Sequence, residues 1–247
     1  PEQFAEALTA FVEKNHISVV GGCCGTTPAH LQALVEKLGK TPAERKAPPS
    51  RPGQAQAWLA SATRAVPMHQ EPPPFLIGER CNAQGSRKFK RILLAEDYDT
   101  ILELGREQVD GGAHALDISV AVTEMADEAE LMRRVVKKLA SGVEAPLAID
   151  TTEPDVMEIA LKTAPGRCLI NSTHLEAGRE KADRVFTLAR QHNAAVLVLT
   201  IDEKGMAKTA AAKLEVARRI HDIAVNEHGL QPGALVFDAL TFTLATG

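Results

Sequence analysis

The chain has 247 residues, 45% hydrophobic and 24% charged, with a formal net charge of -4. That is the composition of an ordinary globular protein with apolar material for a sizeable core, and its mild acidity gives nucleic acid no electrostatic reason to bind. No apolar run reaches membrane-spanning length, and the opening PEQFAEALTAF lacks the charged start and apolar centre of a signal peptide. A cytoplasmic home without membrane contact is therefore expected.

Residues 2–14 place Phe4, Leu8, Phe11 and Val12 at helical spacing and predict a helix, broken at Asn15-His16. Ile17–Val20 reads as a short strand running into Gly21-Gly22-Cys23-Cys24-Gly25-Thr26-Thr27-Pro28. Thr27 is placed to cap a second helix with Pro28 in its first turn. Leu31, Leu34, Val35 and Leu38 form that helix's buried face, and Gly39 ends it. Residues 1–39 are thus one α–β–α piece, too little for a domain, since a lone strand has nothing to pair with. Residues 40–74 carry Pro42, Pro48, Pro49, Pro52, Pro67 and Pro72–Pro74 among Ala, Gln, Arg and Ser, which is linker composition. Within them Trp58–Val66 is compatible with either a short helix or an extended segment.

From Phe75 one pattern repeats: an apolar run stops at an Asp, Asn or Glu, and a helix follows. The runs are Phe75–Glu79 continuing to Asn82, His114–Asp117, Pro146–Asp150, Cys168–Asn171, Ala195–Asp202 and Leu235–Asp238. Their spacing, roughly every 25–40 residues, is the pace of βα units in a parallel sheet. Helices are predicted at about 97–109, 124–141, 154–163, 178–192 and 209–227. The fold class expected is α/β, a TIM-type barrel of eight βα units spanning 75–247, of which six strands are counted before the sequence stops. A parallel barrel gathers the carboxyl ends of its strands on one face, so the polar residues ending these runs would meet in one pocket.

Asp117, Asp150 and Asp202, with Asn82 and Asn171, offer fixed acceptors and donors suited to a flat heterocycle edged with amino, ring N–H and carbonyl groups. Buried polar groups left unmatched are costly, so such a pocket selects its ligand by hydrogen-bond pattern. For any one of them, capping the next helix is an equal alternative. The adjacent thiols Cys23 and Cys24 on a Gly-rich turn are candidate Zn²⁺ ligands, but at least one further ligand is needed. His16, His30, Cys81 and Cys168 are spare candidates without a recognised spacing, and two ordinary small residues is the plainer reading. Arg87–Arg91 reads as a solvated helix face, His114 as a packed histidine, and Gly111-Gly112 as a helix-to-strand turn.

Two segments resemble known barrels. Val20–Pro28 is similar to the closing strand of the homocysteine S-methyltransferase barrel, in which two adjacent cysteines join a third from an earlier strand to hold zinc. Ile77-Gly78-Glu79-Arg80-Cys81-Asn82, Asp150–Val156, Ile170-Asn171-Ser172, Leu199–Ala207 and Phe237–Thr241 resemble the methyltetrahydrofolate-binding barrel of the cobalamin-dependent methionine synthase family. The resemblance implies that 1–39 is the end of a homocysteine-binding barrel and 75–247 an incomplete pterin-binding one. It implies methyl transfer from 5-methyltetrahydrofolate via cobalamin to homocysteine, giving methionine. Cys23 and Cys24 would be metal ligands, with the third cysteine upstream of Pro1. Asn82, Asp117, Asp150, Asn171, Asp202 and, less directly, Asp238 would hold the pterin, with Asn82 and Asp202 taking part in catalysis. Cobalamin would be held by another domain of the same protein. The alternatives are a pterin barrel of the dihydropteroate synthase or corrinoid-protein methyltransferase kind, or a connecting piece without activity alone.

Overall fold

The computed structural model describes residues 1–15, 17, 19–39, 57–124 and 127–241. The chain divides into two compact units, Pro1–Gln54 and Ala55–Gly247. The proline-rich 40–56 and His16 lie outside the described residues.

The first unit contains two helices, α1 (Glu2–Asn15) and α2 (Pro28–Leu38). His30 sits one turn into α2, where its Nδ1 accepts the Thr27 N–H at 3.3 Å and its ring meets Phe4 edge-on at 5.5 Å. Lys37 pairs with Glu6 at 3.0 Å. The strand expected at Ile17–Val20 is not formed among the described residues there, and Val19 is 83% exposed. Strands persist by pairing, and the described residues of this unit offer only helices to pair with.

The second unit opens with an antiparallel hairpin, β1 (Trp58–Ala60) and β2 (Ala65–Pro67), inside the stretch read from sequence as linker. Then come β3 (Ile77–Asn82), α3 (Arg87–Leu94), α4 (Tyr98–Asp110), β4 (Ala115–Ser119), α5 (Glu128–Ala140), β5 (Leu147–Asp150), α6 (Pro154–Thr163), β6 (Leu169–Thr173), α7 (Glu180–His192) and β7 (Ala195–Leu199). A two-residue hairpin, β8 (Ile201–Asp202) and β9 (Gly205–Met206), precedes α8 (Ala210–Asp222), a π-turn at Ile223–Glu227 and β10 (Leu235–Asp238). The main sheet is all parallel, ordered β3-β4-β5-β6-β7-β10, with each βα unit laid beside the last. It is six strands of a barrel wall, and its two edges, β3 and β10, do not meet.

Strand alternation sorts the side chains. Leu116, Ile118, Leu147, Ile149, Ile170, Val196 and Val198 point outward and pack under the helices in the large core. The opposite face carries a smaller cluster in which Leu59 of the hairpin packs with Ala115, Ala148, Leu169 and Ala195. The three alanines leave room on the concave face, and Leu59, fully buried, fills it from below. Arg167 locks this floor: its Nη1 donates to Trp58 O at 2.7 Å and its Nε to Asn193 O at 2.9 Å. Arg167 and Ala60 also exchange both backbone bonds. Gly166 is obligatory here, because its φ is +81° and a Cβ would lie 2.3 Å from Ala60 O.

Candidate functional site

One alternation step above the floor, the concave face turns polar. Ala115 is followed by Asp117, Ala148 by Asp150, and Leu169 by Asn171. Asn82, the last residue of β3, joins them. Its Nδ2 donates to Asp117 Oδ2 at 2.8 Å and to Asp150 Oδ2 at 2.7 Å. Asn171 Nδ2 donates to Asp117 Oδ1 at 3.1 Å. Four polar residues from four consecutive strands thus form one network. Asn82 is fully committed, since its Oδ1 accepts the N–H groups of Gln84 and Gly85 at 2.9 and 3.2 Å.

The network brings two carboxylates against one amide. Asp117 is 3% exposed, and Asp150 is partly buried at the rim. Burial pushes the Asp150 carboxyl above its ordinary range; the Asp117 charge pushes it further, the Asn82 bond pulls it back, and Glu79 adds to the rise. The concave face therefore carries excess negative potential and acceptor capacity, with Asn171 Oδ1 an additional acceptor lacking a protein donor among the described residues. An incoming group with paired N–H donors relieves that repulsion.

The loops around the four are anchored. Ala83 N donates to Ser119 O at 2.8 Å and Gln84 Nε2 to Ala121 O at 2.8 Å, tying the β3–α3 loop to the end of β4. Thr151 Oγ1 donates to Glu128 and accepts the Glu153 N–H, holding the turn after Asp150.

Asp202 and Asp238 stand apart from this network. The sequence reads Ala195–Asp202 as one strand, but β7 stops at Leu199, where Thr200 N–H closes the ladder on Asp238 O and the Thr200 hydroxyl bonds the same oxygen. Asp202 then lies on the β8–β9 hairpin, accepting the Lys204 N–H at 2.9 Å. Asp238 Oδ1 accepts the Leu240 N–H at 2.7 Å. Neither bonds to the four among the described residues.

Cys23 and Cys24 are exposed on a turn closed by Thr26 N to Cys23 O at 2.9 Å. Two thiols supply half of a tetrahedral zinc site. Among the described residues no group of three or more His, Cys, Asp or Glu could hold a metal, so this pair by itself does not fit the zinc that the resemblance implies. Cys81 and Cys168 are no reserve: both are buried in the second unit, and burial pushes each thiol up to about 12. His114 accepts the Leu76 N–H and stacks on Phe75, and His174 accepts the Glu176 N–H, so both histidines serve turns and packing. Lys90 of the basic run pairs with Glu124 at 2.8 Å while Phe89 is buried, as expected of a solvated helix face. Among the described residues no helix is long and apolar enough to cross a membrane.

The parallel wall thus carries on its concave face a carboxylate-and-amide network with acceptor capacity to spare. The family model described as pterin binding enzyme matches residues 78–247, and the chain belongs to that family. The model described as homocysteine S-methyltransferase matches residues 1–38. Among curated proteins, the chain is 36% identical over 250 residues to "Methionine synthase" of Mycobacterium tuberculosis (strain ATCC 25618 / H37Rv) and 37% identical to that of Mycobacterium leprae (strain TN). All of the chain is matched, but it spans only 20% and 21% of those relatives. Solved structures similar in fold include Xanthomonas albilineans dihydropteroate synthase in complex with indole-2-carboxylic acid and 6-chloroguanine, with a TM-score of 0.53 at 17% identity over 74% of this chain and 64% of that one. Another is Yersinia pestis DHPS with a pterine-sulfa conjugate, with a TM-score of 0.52 at 15% identity over 73% and 63%.

Proposed function

We propose that residues 75–247 form the folate site of a methyltransferase, binding 5-methyltetrahydrofolate by its pterin so that its methyl group passes via cobalamin to homocysteine, giving methionine. The observation that carries this reading is the single Asn82 amide bridging Asp117 and Asp150, with Asn171 on the far side of Asp117. A pterin presents an amino group and ring N–H groups along one edge, which is the donor pattern these carboxylates lack. The match of the first 38 residues to the homocysteine S-methyltransferase model supports the choice of methyl acceptor.

In this reading Asp150 and Asp117 accept the pterin's N–H groups, and Asn171 Oδ1 accepts one more. Asn82 orients the two carboxylates; with both N–H groups and its oxygen already used, it serves catalysis by holding the acceptors in place. Transfer of the methyl group leaves electron density on the pterin nitrogen, which needs a proton or hydrogen bond as the bond breaks. Asp202, on the short hairpin at the rim, is the group we assign to that end of the ligand. A cobalamin held by another domain of the same protein would supply the cobalt that accepts the methyl group. Homocysteine would be bound with zinc by Cys23, Cys24 and a further cysteine from another segment, because two thiols alone leave the metal half-coordinated.

Calorimetric titration with 5-methyltetrahydrofolate tests the assignment. Binding heat in the wild type that is lost in Asp150→Ala and reduced in Asp202→Ala supports it. Equal heat in all three proteins rejects it.

A further inference from the structure

The register of β3 against β4 contains an irregularity with a consequence for Asn82. Ile77 pairs with Ala115 and Gly78 with Leu116, but next in register are Cys81 with Ile118 and Asn82 with Ser119. From Gly78 to Cys81 is three steps, and from Leu116 to Ile118 is two. One extra residue is therefore accommodated at Glu79-Arg80, as a bulge. Because side chains alternate along a strand, one residue of slip exchanges the faces. The bulge is what sends Cys81 outward into the main core and Asn82 inward to the carboxylates.

A bulge leaves a backbone N–H without its ladder partner, and here a side chain takes it. Gln108, in the last turn of α4 and 7% exposed, accepts the Arg80 N–H on its Oε1 at 2.7 Å. Its Nε2 donates to Leu104 O at 3.2 Å and to Cys81 Sγ at 3.3 Å, so the amide spans from the helix to the strand. Gly78 makes room for it, since a Cβ there would lie 2.7 Å from Gln108 Oε1. Nothing else about a glutamine in a helix beneath the sheet requires burial; Leu or Met fills such a position at lower cost.

We propose that Gln108 is a positioning residue of the pterin site, pinning the β3 bulge so that Asn82 is aimed between Asp117 and Asp150. The proposal rests on the pterin reading for its purpose but not for its geometry. Gln108 touches no ligand and acts through the strand.

The test compares the full chain with Gln108→Met and with Val135→Ala, a core truncation in α5 chosen to lower stability without touching β3. The first readout needs no ligand: the side-chain amide resonances of Asn82 in the free protein, assigned by their loss in Asn82→Asp. They are expected to move toward solvent-exposed positions in Gln108→Met and to stay in place in Val135→Ala. The second is affinity for 5-methyltetrahydrofolate, expected to weaken roughly tenfold in Gln108→Met alone, the scale of one misplaced charge-assisted bond. Unmoved Asn82 resonances in Gln108→Met overturn the proposal whatever the ligand does. Moved resonances in a chain whose wild type takes up no folate uphold the pin and defeat the pterin reading instead. Should Gln108→Met not fold, hydrogen exchange of the Arg80 amide in the wild type decides: protection equal to that of β4 supports the pin, and loop-like exchange overturns it.

Discussion

Replacing Asn82 with alanine takes one amide from between two carboxylates. Two charge-assisted hydrogen bonds are lost, at 2.8 and 2.7 Å, each worth about 1.5–3 kcal/mol. With both oxygens bonded to one nitrogen, the carboxylates lie at most about 5.5 Å apart, where two unit charges repel by about 3 kcal/mol at an effective dielectric near 20. Part of this cost is escaped when one carboxylate takes up a proton, so a net loss of about 3 kcal/mol near pH 7 is expected. The sign with pH follows from Asp150, whose folded pKa is already raised. A raised carboxylate contributes stability at low pH that is lost as pH rises from its unfolded value through the folded one. Removing Asn82, which holds that pKa down, extends the losing window upward. Urea unfolding followed by Trp58, the one tryptophan, should therefore give a larger deficit for Asn82→Ala near pH 7 than near pH 5. An equal deficit at both would refute the reasoning.

Three further outcomes follow from the same geometry. In the wild type, affinity for 5-methyltetrahydrofolate should rise with pH above the ordinary carboxylate value as Asp150 ionises; Asp150→Asn should bind at least roughly tenfold more weakly and lose that dependence in calorimetry across pH. Leu59→Ala empties the floor of the concave face and should cost about 3 kcal/mol in urea unfolding, with the hairpin detaching first. Under native conditions iodoacetamide should label Cys23 and Cys24, while Cys81 and Cys168, buried and with pKa values of about 12, should react only after unfolding. Adduct counting by mass spectrometry reads this directly.

Much of the second unit is legible in the sequence because local and tertiary preferences agree there. The run Pro146–Asp150 and its Glu153-Pro154 helix start announce β5 and α6, and the observed α6 is Pro154–Thr163, the span expected. The convergence of Asp117, Asp150 and Asn171 follows from parallel strands in sequence order with their carboxyl ends on one rim, whereas Asn82 joins them only because the bulge at Glu79-Arg80 turns it inward. Four features are hidden because their causes are not local. Ile17–Val20 has strand composition but no strand beside it among the described residues. Trp58–Pro67 is two three-residue strands whose stability comes from Leu59 in the floor and Arg167 on the backbone, more than 100 residues away in sequence. Asp202 reads as continuous with β7, and only the antiparallel pairing of Ile201 with Met206 and of Asp202 with Gly205, at φ +90°, sets it in a separate hairpin. Gln108 gives no sign at all, since a polar residue in an amphipathic helix reads as surface until the strand beneath it is known to bulge.

The most direct measurement is a crystal structure of this chain with 5-methyltetrahydrofolate. Pterin N–H groups within hydrogen-bond distance of Asp150 and Asp117, with Asn82 still bridging the two carboxylates, is the predicted result. A pterin bound elsewhere, or one seated on this face with its N–H edge turned away from both acids, would contradict the assignment of the site.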